Sequence, residues 1–157
     1  MLNPEEVAKH LENSIGGTDP KSRRDSSSWI MQNETTERYG PLLLHLVTQP
    51  SSSPQVKIMA AVCFKNFVKK YWGPAVGAED DFDDKINQVD RNEIREKIIE
   101  LMLQSEEKLQ LQFAEAITYI GKHDFPDKWT DLFGKLINYS TNFLYIICLP
   151  SLIKLTL

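Results

Sequence analysis

His123 and Asp124 stand side by side, and a histidine next to a carboxylate is a pair that prepares an imidazole for general base catalysis. Such a base needs a nucleophile, but Cys63 falls on an apolar helical stripe and outside any recognisable nucleophile motif. The three histidines have no metal-ligand spacing, and the sequence contains neither a P-loop motif nor a G-x-G-x-x-G motif. We therefore expect a protein that is not an enzyme and that holds no cofactor or metal.

The residue types also allow the binding of a charged protein partner. Lys65 and Lys69 fall on one side of a predicted helix, together with the apolar Ile58 and Val62. Cations beside apolar side chains suit an acidic protein partner. The alternative is that these lysines only solvate an exposed helix face, as most helical lysines do, and composition alone favours that alternative.

Other charged and aromatic residues have plainer interpretations. Arg23 and Arg24 lie in the first turns of a predicted helix, where the dipole disfavours cations; this hints at a partner, although surface exposure explains it nearly as well. The acidic residues 79–84 are predicted to form a solvated loop, with recruitment of basic cargo as the alternative. Trp72 and Trp129 each end or begin an apolar stripe, so we expect core packing rather than an interface.

The composition is that of a globular domain with a real core. The chain has 157 residues, of which 41% are hydrophobic and 25% charged, and its formal net charge is −4. A general nucleic-acid binder needs a surplus of lysine and arginine, so this class is excluded. Cys63 and Cys148 are expected to be buried, reduced thiols. The N-terminus has no signal-peptide pattern, which favours the nucleus and cytoplasm.

The elements that must position these residues are all predicted to be helices, because no segment alternates like a strand. The second helix is expected to run to about Tyr39, and Asp90 is expected to cap the fifth. The fourth carries an apolar stripe made of Val56, Met59, Ala60, Cys63, Phe67 and Tyr71. The predicted helices start near Pro4, Pro20, Pro41, Val56, Asp90, Ser105 and Trp129.

The spacing of these helices indicates repeated helix pairs. The first members of successive pairs start near residues 4, 41, 90 and 128, at intervals of about 37 to 49 residues. Such intervals are typical of HEAT or armadillo repeats, which stack to bury apolar faces that one pair cannot cover. The predicted fold is an all-α helical-repeat solenoid, and a plain helical bundle remains open as the alternative.

Several stretches resemble the N-terminal domain of the importin-β (karyopherin) superfamily. Residues 60–72, AAVCFKNFVKKYW, are similar to its A-x-x-x-hydrophobic-K-N-x-hydrophobic-K/R-x-x-W pattern, and residues 124–129, DFPDKW, are similar to its D-x-P-x-x-W corner. Weaker likenesses occur at residues 19–24 and 39–44. The resemblance implies an importin-β N-terminal domain over residues 1–138, with about three HEAT-like repeats and the start of a fourth.

The resemblance also implies a partner, the small GTPase Ran in its GTP form. The residues that resemble the Ran-binding positions of this superfamily are Lys65, Asn66, Lys69, Lys70, Arg23 and Arg24. Residues 64–67, 99–103 and 120–126 resemble the branch of export receptors that return importin-α to the cytoplasm. This implies importin-α as cargo of the full-length relative, and FG nucleoporins are a further partner class of the superfamily. An import receptor and a helical-repeat scaffold without Ran contact remain alternatives.

Two segments depart from the family pattern. Residues 26–28, three serines, stand where alanine and glutamate are usual, which predicts a weakened second helix. The likeness stops after Ile137, so we expect a truncated form with a divergent apolar tail over residues 139–157. A membrane anchor is the alternative, but the apolar run is much shorter than the roughly 20 residues that a spanning helix needs. The tail is predicted to expose an apolar patch over residues 143–157 and to promote association.

Overall fold

The computed structural model describes residues 2–74 and 84–140, with side chains as far as Asn138. Within these ranges it contains helices and turns and no strand, so the all-α prediction is confirmed. The described residues form seven helices, α1 (Pro4–Gly16), α2 (Pro20–Asn33), α3 (Tyr39–Thr48), α4 (Pro54–Tyr71), α5 (Gln88–Gln104), α6 (Glu107–Asp124) and α7 (Leu132–Ser140).

The helices pack in consecutive pairs that stack on one another. Helices α1 and α2, α3 and α4, and α5 and α6 form three pairs. Between pairs, α3 packs on α5 and α4 packs on α6, while α4 also contacts α1. The first members begin at residues 4, 39 and 88, close to the predicted starts. This is the stacked helix-pair arrangement that the repeat spacing predicted.

Local sequence explains where three of the helices begin. Helices α1, α2 and α4 each start with a proline that follows a polar N-cap residue, namely Asn3, Asp19 or Ser53. The side chain of each N-cap accepts a backbone N–H of the first turn. Proline suits this position because its missing N–H would have no partner inside the helix.

The predicted end of α2 was wrong. The helix ends at Asn33 rather than near Tyr39, which is the first residue of α3. Residues 34–38 form a turn, and Arg38 has the left-handed backbone conformation, with φ 70°. A left-handed residue cannot continue a right-handed helix, so this residue separates the two elements.

The three serines of α2 do not interrupt the helix. Ser26 is buried, and its hydroxyl lies 3.2 Å from Nδ1 of His10 on α1. The His10 ring stacks on Trp29 with ring centroids 4.1 Å apart. Contacts with α1 therefore hold α2 together where its own helix propensity is low.

The predicted cap of α5 was also wrong. Asn87 is the N-cap, and its side chain accepts the backbone N–H of Asp90 at 2.8 Å. Asp90 lies in the first turn, is 4% exposed, and binds Arg38 instead. In the first turn the negative charge of Asp90 is still stabilised by the positive end of the helix dipole.

The core runs through all three pairs, and α4 lies at its centre. The apolar stripe of α4 is rotated from the predicted one: Phe64 and Val68 are fully buried, while Met59, Cys63 and Tyr71 are only half-buried. The rotation arises because α4 packs against α1, α3 and α6 and so buries more than one face. Trp72 and Trp129 are 2% and 3% exposed, which confirms their place in the core, whereas Ile15 of α1 is 48% exposed.

The described residues contain neither a membrane-spanning helix nor a cluster of metal ligands. No helix there has the length and apolarity to cross a bilayer, and no group of three or more potential ligands is placed to hold a metal ion. Most of the acidic segment, the apolar tail from residue 141 and Cys148 lie outside the described residues.

Candidate protein-binding surface

Helix α4 presents one row of side chains away from the core. Ile58, Val62, Lys65 and Lys69 recur every three or four residues and therefore share a face. Ile58 is 39% exposed, Val62 is half-buried, and the side chains of Lys65 and Lys69 are 18% and 46% exposed. The row combines apolar contact area with two ammonium groups, as the sequence predicted.

Both lysines of this row meet one carboxylate from the next helix pair. Lys69 Nζ donates to Oε2 of Glu115 on α6 at 2.8 Å, and Lys65 Nζ lies 3.9 Å from the same oxygen. The hydrogen bond from Lys69, aided by the charges of both lysines, lowers the pKa of Glu115 below its usual value. This ion cluster therefore bridges the second and third pairs.

Lys70 points toward the first helix pair. Its ammonium group donates to Oε1 of Glu34, directly after α2, and lies 4.9 Å from the centroid of the Tyr71 ring. The Tyr71 hydroxyl donates to the same Glu34 oxygen at 2.8 Å. The hydrogen bond to Glu34 raises the pKa of Lys70. One residue of helix rotates a side chain by about 100°, so Lys70 does not share the Lys65–Lys69 row.

The remaining predicted residues are exposed and lie in two separate places. Asn66 is exposed on α4, next to the row. Arg23 and Arg24 are exposed in the first half of α2, and Arg23 Nη1 donates to the carbonyl of Gly17 at 3.4 Å. Arg24 precedes Glu34 by ten residues, or about 15 Å along a helix, so these arginines lie at the far end of α2 from the Lys70 ion pair.

The direction of α6 relative to α4 adds a residue to the surface that the sequence did not identify. The rings of Phe64 and Phe113 are 6.1 Å apart, and Trp72 Nε1 donates to Asp124 Oδ2 at 3.0 Å. Later positions on α4 thus meet later positions on α6, so the two helices run in the same direction. With this offset, Leu111, which is 44% exposed, lies at the level of Val62.

Leu111 and Glu115 extend the row of α4 onto a second helix. They stand four residues apart on α6, so both share the face that meets Lys65 and Lys69. A sequence signal existed: Leu111 falls between the stripe positions Leu109 and Phe113 and therefore off the core side of α6. We call the set Ile58, Val62, Lys65, Lys69, Leu111 and Glu115 the α4–α6 surface.

A buried polar network fixes the end of α4 behind this surface. Asp124 Oδ2 accepts the Trp72 indole N–H at 3.0 Å and Arg95 Nη1 at 2.7 Å, and all three side chains are buried. Arg91 donates to the Trp72 carbonyl at 2.9 Å and lies over the indole ring. The C-terminal turn that carries Lys69 and Lys70 is thereby attached to α5 and α6.

The same network explains the neighbouring His123 and Asp124. Asp124 directs its carboxylate to Trp72 and Arg95, whereas His123 packs its ring beside Tyr119, with centroids 4.9 Å apart. Partial burial lowers the pKa of His123. The pair thus has a structural arrangement rather than that of a general base and its orienting acid.

Comparison with known proteins decides the family. Residues 27–104 match the model of the importin-β N-terminal domain. Human exportin-2 is 35% identical to this chain over 136 residues, and exportin-2 of Drosophila melanogaster is 34% identical over 131 residues. The chain belongs to the importin-β family. The resemblance deduced from the motifs is therefore confirmed, and the match includes α4 but neither Arg23 and Arg24 nor Glu115.

A solved structure supports the same relationship in three dimensions. The exportin Cse1 in its cargo-free, cytoplasmic state superimposes with a TM-score of 0.68 and 31% sequence identity, over 85% of this chain and 14% of Cse1. The human and Drosophila alignments cover 87% and 83% of this chain. The chain spans about 13% of the length of either exportin-2.

Proposed function

We propose that this chain binds the GTP form of the small GTPase Ran through the α4–α6 surface, as the N-terminal part of a nuclear export receptor. The observation that carries the proposal is the presence of Lys65 and Lys69 in one row with Ile58, Val62 and Leu111. Basic and apolar groups side by side, with the lysines partly exposed, suit an acidic protein partner. The similarity to exportin-2 favours export over import.

The wider proposal follows from the family. Importin-α is the cargo we propose for the complete receptor, with FG nucleoporins as partners in crossing the pore, and the nucleus and cytoplasm as its compartments. We also propose that residues 1–138 form the family's N-terminal domain, with residues 139–157 outside its pattern. The role is binding rather than catalysis.

The other predicted contact residues differ in their position relative to the α4–α6 surface; they are Lys70, Asn66, Arg23 and Arg24. Asn66 neighbours the row and is exposed, which supports the proposal that it contacts the same partner. Lys70 binds Glu34, and the two arginines lie toward the other end of α2, so they would contact a different part of a large partner. Single charge reversals at each position would separate these contributions.

The second candidate is a helical-repeat scaffold that does not bind Ran. It is favoured by the internal ion pairs, because Lys65 and Lys69 both contact Glu115, and Lys70 contacts Glu34. On this hypothesis the lysines only connect neighbouring helix pairs, and reversing their charge would change stability without changing any binding property.

The experiment is binding of the 157-residue chain to Ran loaded with GTP or with GDP. We expect a preference for the GTP form that is lost in Lys65→Glu/Lys69→Glu. The matched control is Lys9→Glu/Lys128→Glu, which changes the net charge equally at two exposed lysines, one on α1 and one between α6 and α7. A helical, cooperatively folded chain without nucleotide-dependent binding would contradict the proposal, and equal loss in both double variants would reduce it to non-specific charge attraction.

A further inference from the structure

Glu115 forms ion pairs with Lys65 and Lys69, the two cations on which the proposed function depends. One of its oxygens, Oε2, accepts from Lys69 and also lies near Lys65, and its side chain is half exposed. Among the described residues it is the carboxylate that forms ion pairs with these two lysines. Any acidic partner that approaches the α4–α6 surface must therefore compete with a carboxylate that belongs to the chain itself.

The fold does not depend on this carboxylate. The α4–α6 contact already buries Phe64 and Phe113, whose rings are 6.1 Å apart, and joins Trp72 to Asp124. Buried aromatic contact area of this kind contributes far more to packing than a half-exposed ion pair does. The ion pair is therefore free to serve recognition.

Glu115 is also not needed to orient Lys65. The Lys65 side chain is only 18% exposed, so its aliphatic stem lies against the protein and holds the ammonium group at the surface. Lys69 is more exposed, and its ammonium group keeps further donors available for a second acceptor. Removing the Glu115 charge would release both cations and leave them in place.

We propose that Glu115 is an internal competitor that holds Lys65 and Lys69 until the carboxylates of a protein partner displace it. This inference rests on the proposed function, because the competition concerns the same acidic partner. To displace Glu115, a partner has to offer carboxylates that can bind both ammonium groups. It also has to offer an apolar group that packs on Leu111. Glu115 thereby contributes to specificity, because it weakens binding to acidic partners whose carboxylates do not match the positions of the two lysines.

The test is the Glu115→Gln variant of the full chain, measured against GTP-loaded Ran. An exposed ion pair of this type corresponds to about a two- to five-fold change in an equilibrium constant, so we expect binding about two- to five-fold tighter than that of the unmodified chain. The control is Glu96→Gln on α5, an exposed glutamate whose replacement changes the net charge equally. In the Lys65→Gln/Lys69→Gln background, adding Glu115→Gln should give no gain in affinity over the lysine double variant.

A second readout follows the carboxyl group itself. In the free chain the Glu115 carboxyl should titrate below the usual glutamate pKa, because Lys69 binds it. In the complex its pKa should return toward the usual value, since the partner has taken the lysines. Carbon-detected NMR of the side-chain carboxyl group measures both states.

The outcomes separate the two proposals. If the unmodified chain binds with a GTP preference that the lysine variants abolish, but Glu115→Gln binds equally or more weakly, the competitor role is wrong and the proposed function stands. If the unmodified chain and Glu115→Gln both fail to bind, the proposed function fails and the competitor role fails with it. Equal gains in affinity for Glu115→Gln and Glu96→Gln would overturn the competitor role, because the change in net charge would then explain both.

Discussion

The carboxylate of Asp90 binds Arg38 twice: Oδ2 accepts the backbone N–H and Oδ1 accepts the guanidinium Nη1, each at 2.9 Å. Asp90 lies on α5 and Arg38 precedes α3, so the contact joins the first helices of two neighbouring pairs. It also holds Arg38 in the left-handed conformation that separates α2 from α3.

Replacing Arg38 should separate the guanidinium contacts from the backbone conformation. Arg38→Ala and Arg38→Gly both lose the side-chain bonds to Asp90 and Glu93, but only glycine relieves the left-handed strain. We expect Arg38→Gly to be more stable than Arg38→Ala by about 0.5–1 kcal/mol, because the strain exceeds glycine's extra unfolded-state entropy. Urea unfolding of both variants measures the difference, and an alanine variant as stable as the glycine variant would contradict it.

Glu93 should make stability depend on acid pH. Hydrogen bonding to Arg38 lowers the pKa of Glu93, so its stabilising contribution is present above the usual glutamate pKa and is lost as the pH falls through the lower folded value. The free energy of unfolding lost in Glu93→Gln should be at most about 1 kcal/mol at pH 7, because the ion pair is partly exposed. This difference should shrink toward zero well below about pH 4. Urea titrations at several pH values test it, and a constant difference would exclude this linkage.

Asp124 should be among the costliest positions to change. Asp124→Ala leaves the buried Arg95 charge without its carboxylate, which we expect to cost about 3–5 kcal/mol of unfolding free energy. Arg95→Met/Asp124→Leu should cost less than the single change, since neither charge is then stranded. Asp127→Ala at an exposed site is the control and should stay within about 0.5 kcal/mol of the unmodified chain. If the double variant were the least stable of the set, the explanation by a stranded charge would fail.

Two glycines should respond oppositely to alanine. A Cβ at Gly40 would lie 2.7 Å from Phe67 Cε1 and 3.0 Å from Ile94 Cδ1, so Gly40→Ala overpacks the core and should destabilise by about 1–3 kcal/mol. At Gly134 on α7 nothing lies within 4 Å of the added carbon, so Gly134→Ala should stabilise by about 0.4–1 kcal/mol. Thermal unfolding of both variants checks the two signs, and a tolerated Gly40→Ala would mean that Phe67 moves aside freely.

The sequence predicted those features of the fold that depend on neighbouring residues. Proline after a polar residue marks the starts of α1 and α2, and the motif at residues 60–72 identified the family. Helix α4 begins at Pro54, two residues before the predicted start at Val56, because Ser53 and Pro54 form the same kind of cap. The end of α2 was missed because no glycine or proline stands between Asn33 and Tyr39; the turn there depends on Asp90, which is 52 residues away from Arg38. Local propensity contains no information about such a contact.

The site was predicted only in part, for a similar reason. The lysines of α4 are visible as a periodic row, but which acidic residue meets them depends on the register between α4 and α6. Helices α5 and α6 carry five glutamates, and the packing of Phe64 against Phe113 is what brings Glu115 rather than another of them to the lysines. Whether the six predicted residues bind Ran stays a prediction.

The shallow burial of α2 has a consequence for the order in which the chain opens. Only Ser26 and Ile30 of this helix are buried, whereas α5 buries eight residues and is held by Asp90, Arg91 and Arg95. Amide protons of α2 should therefore exchange with solvent through a local opening that leaves the second and third pairs closed. Helix α2 would then open by itself, while α1 stays packed on α4 through the buried Val7 and Leu11 and the second and third pairs remain one cooperative block.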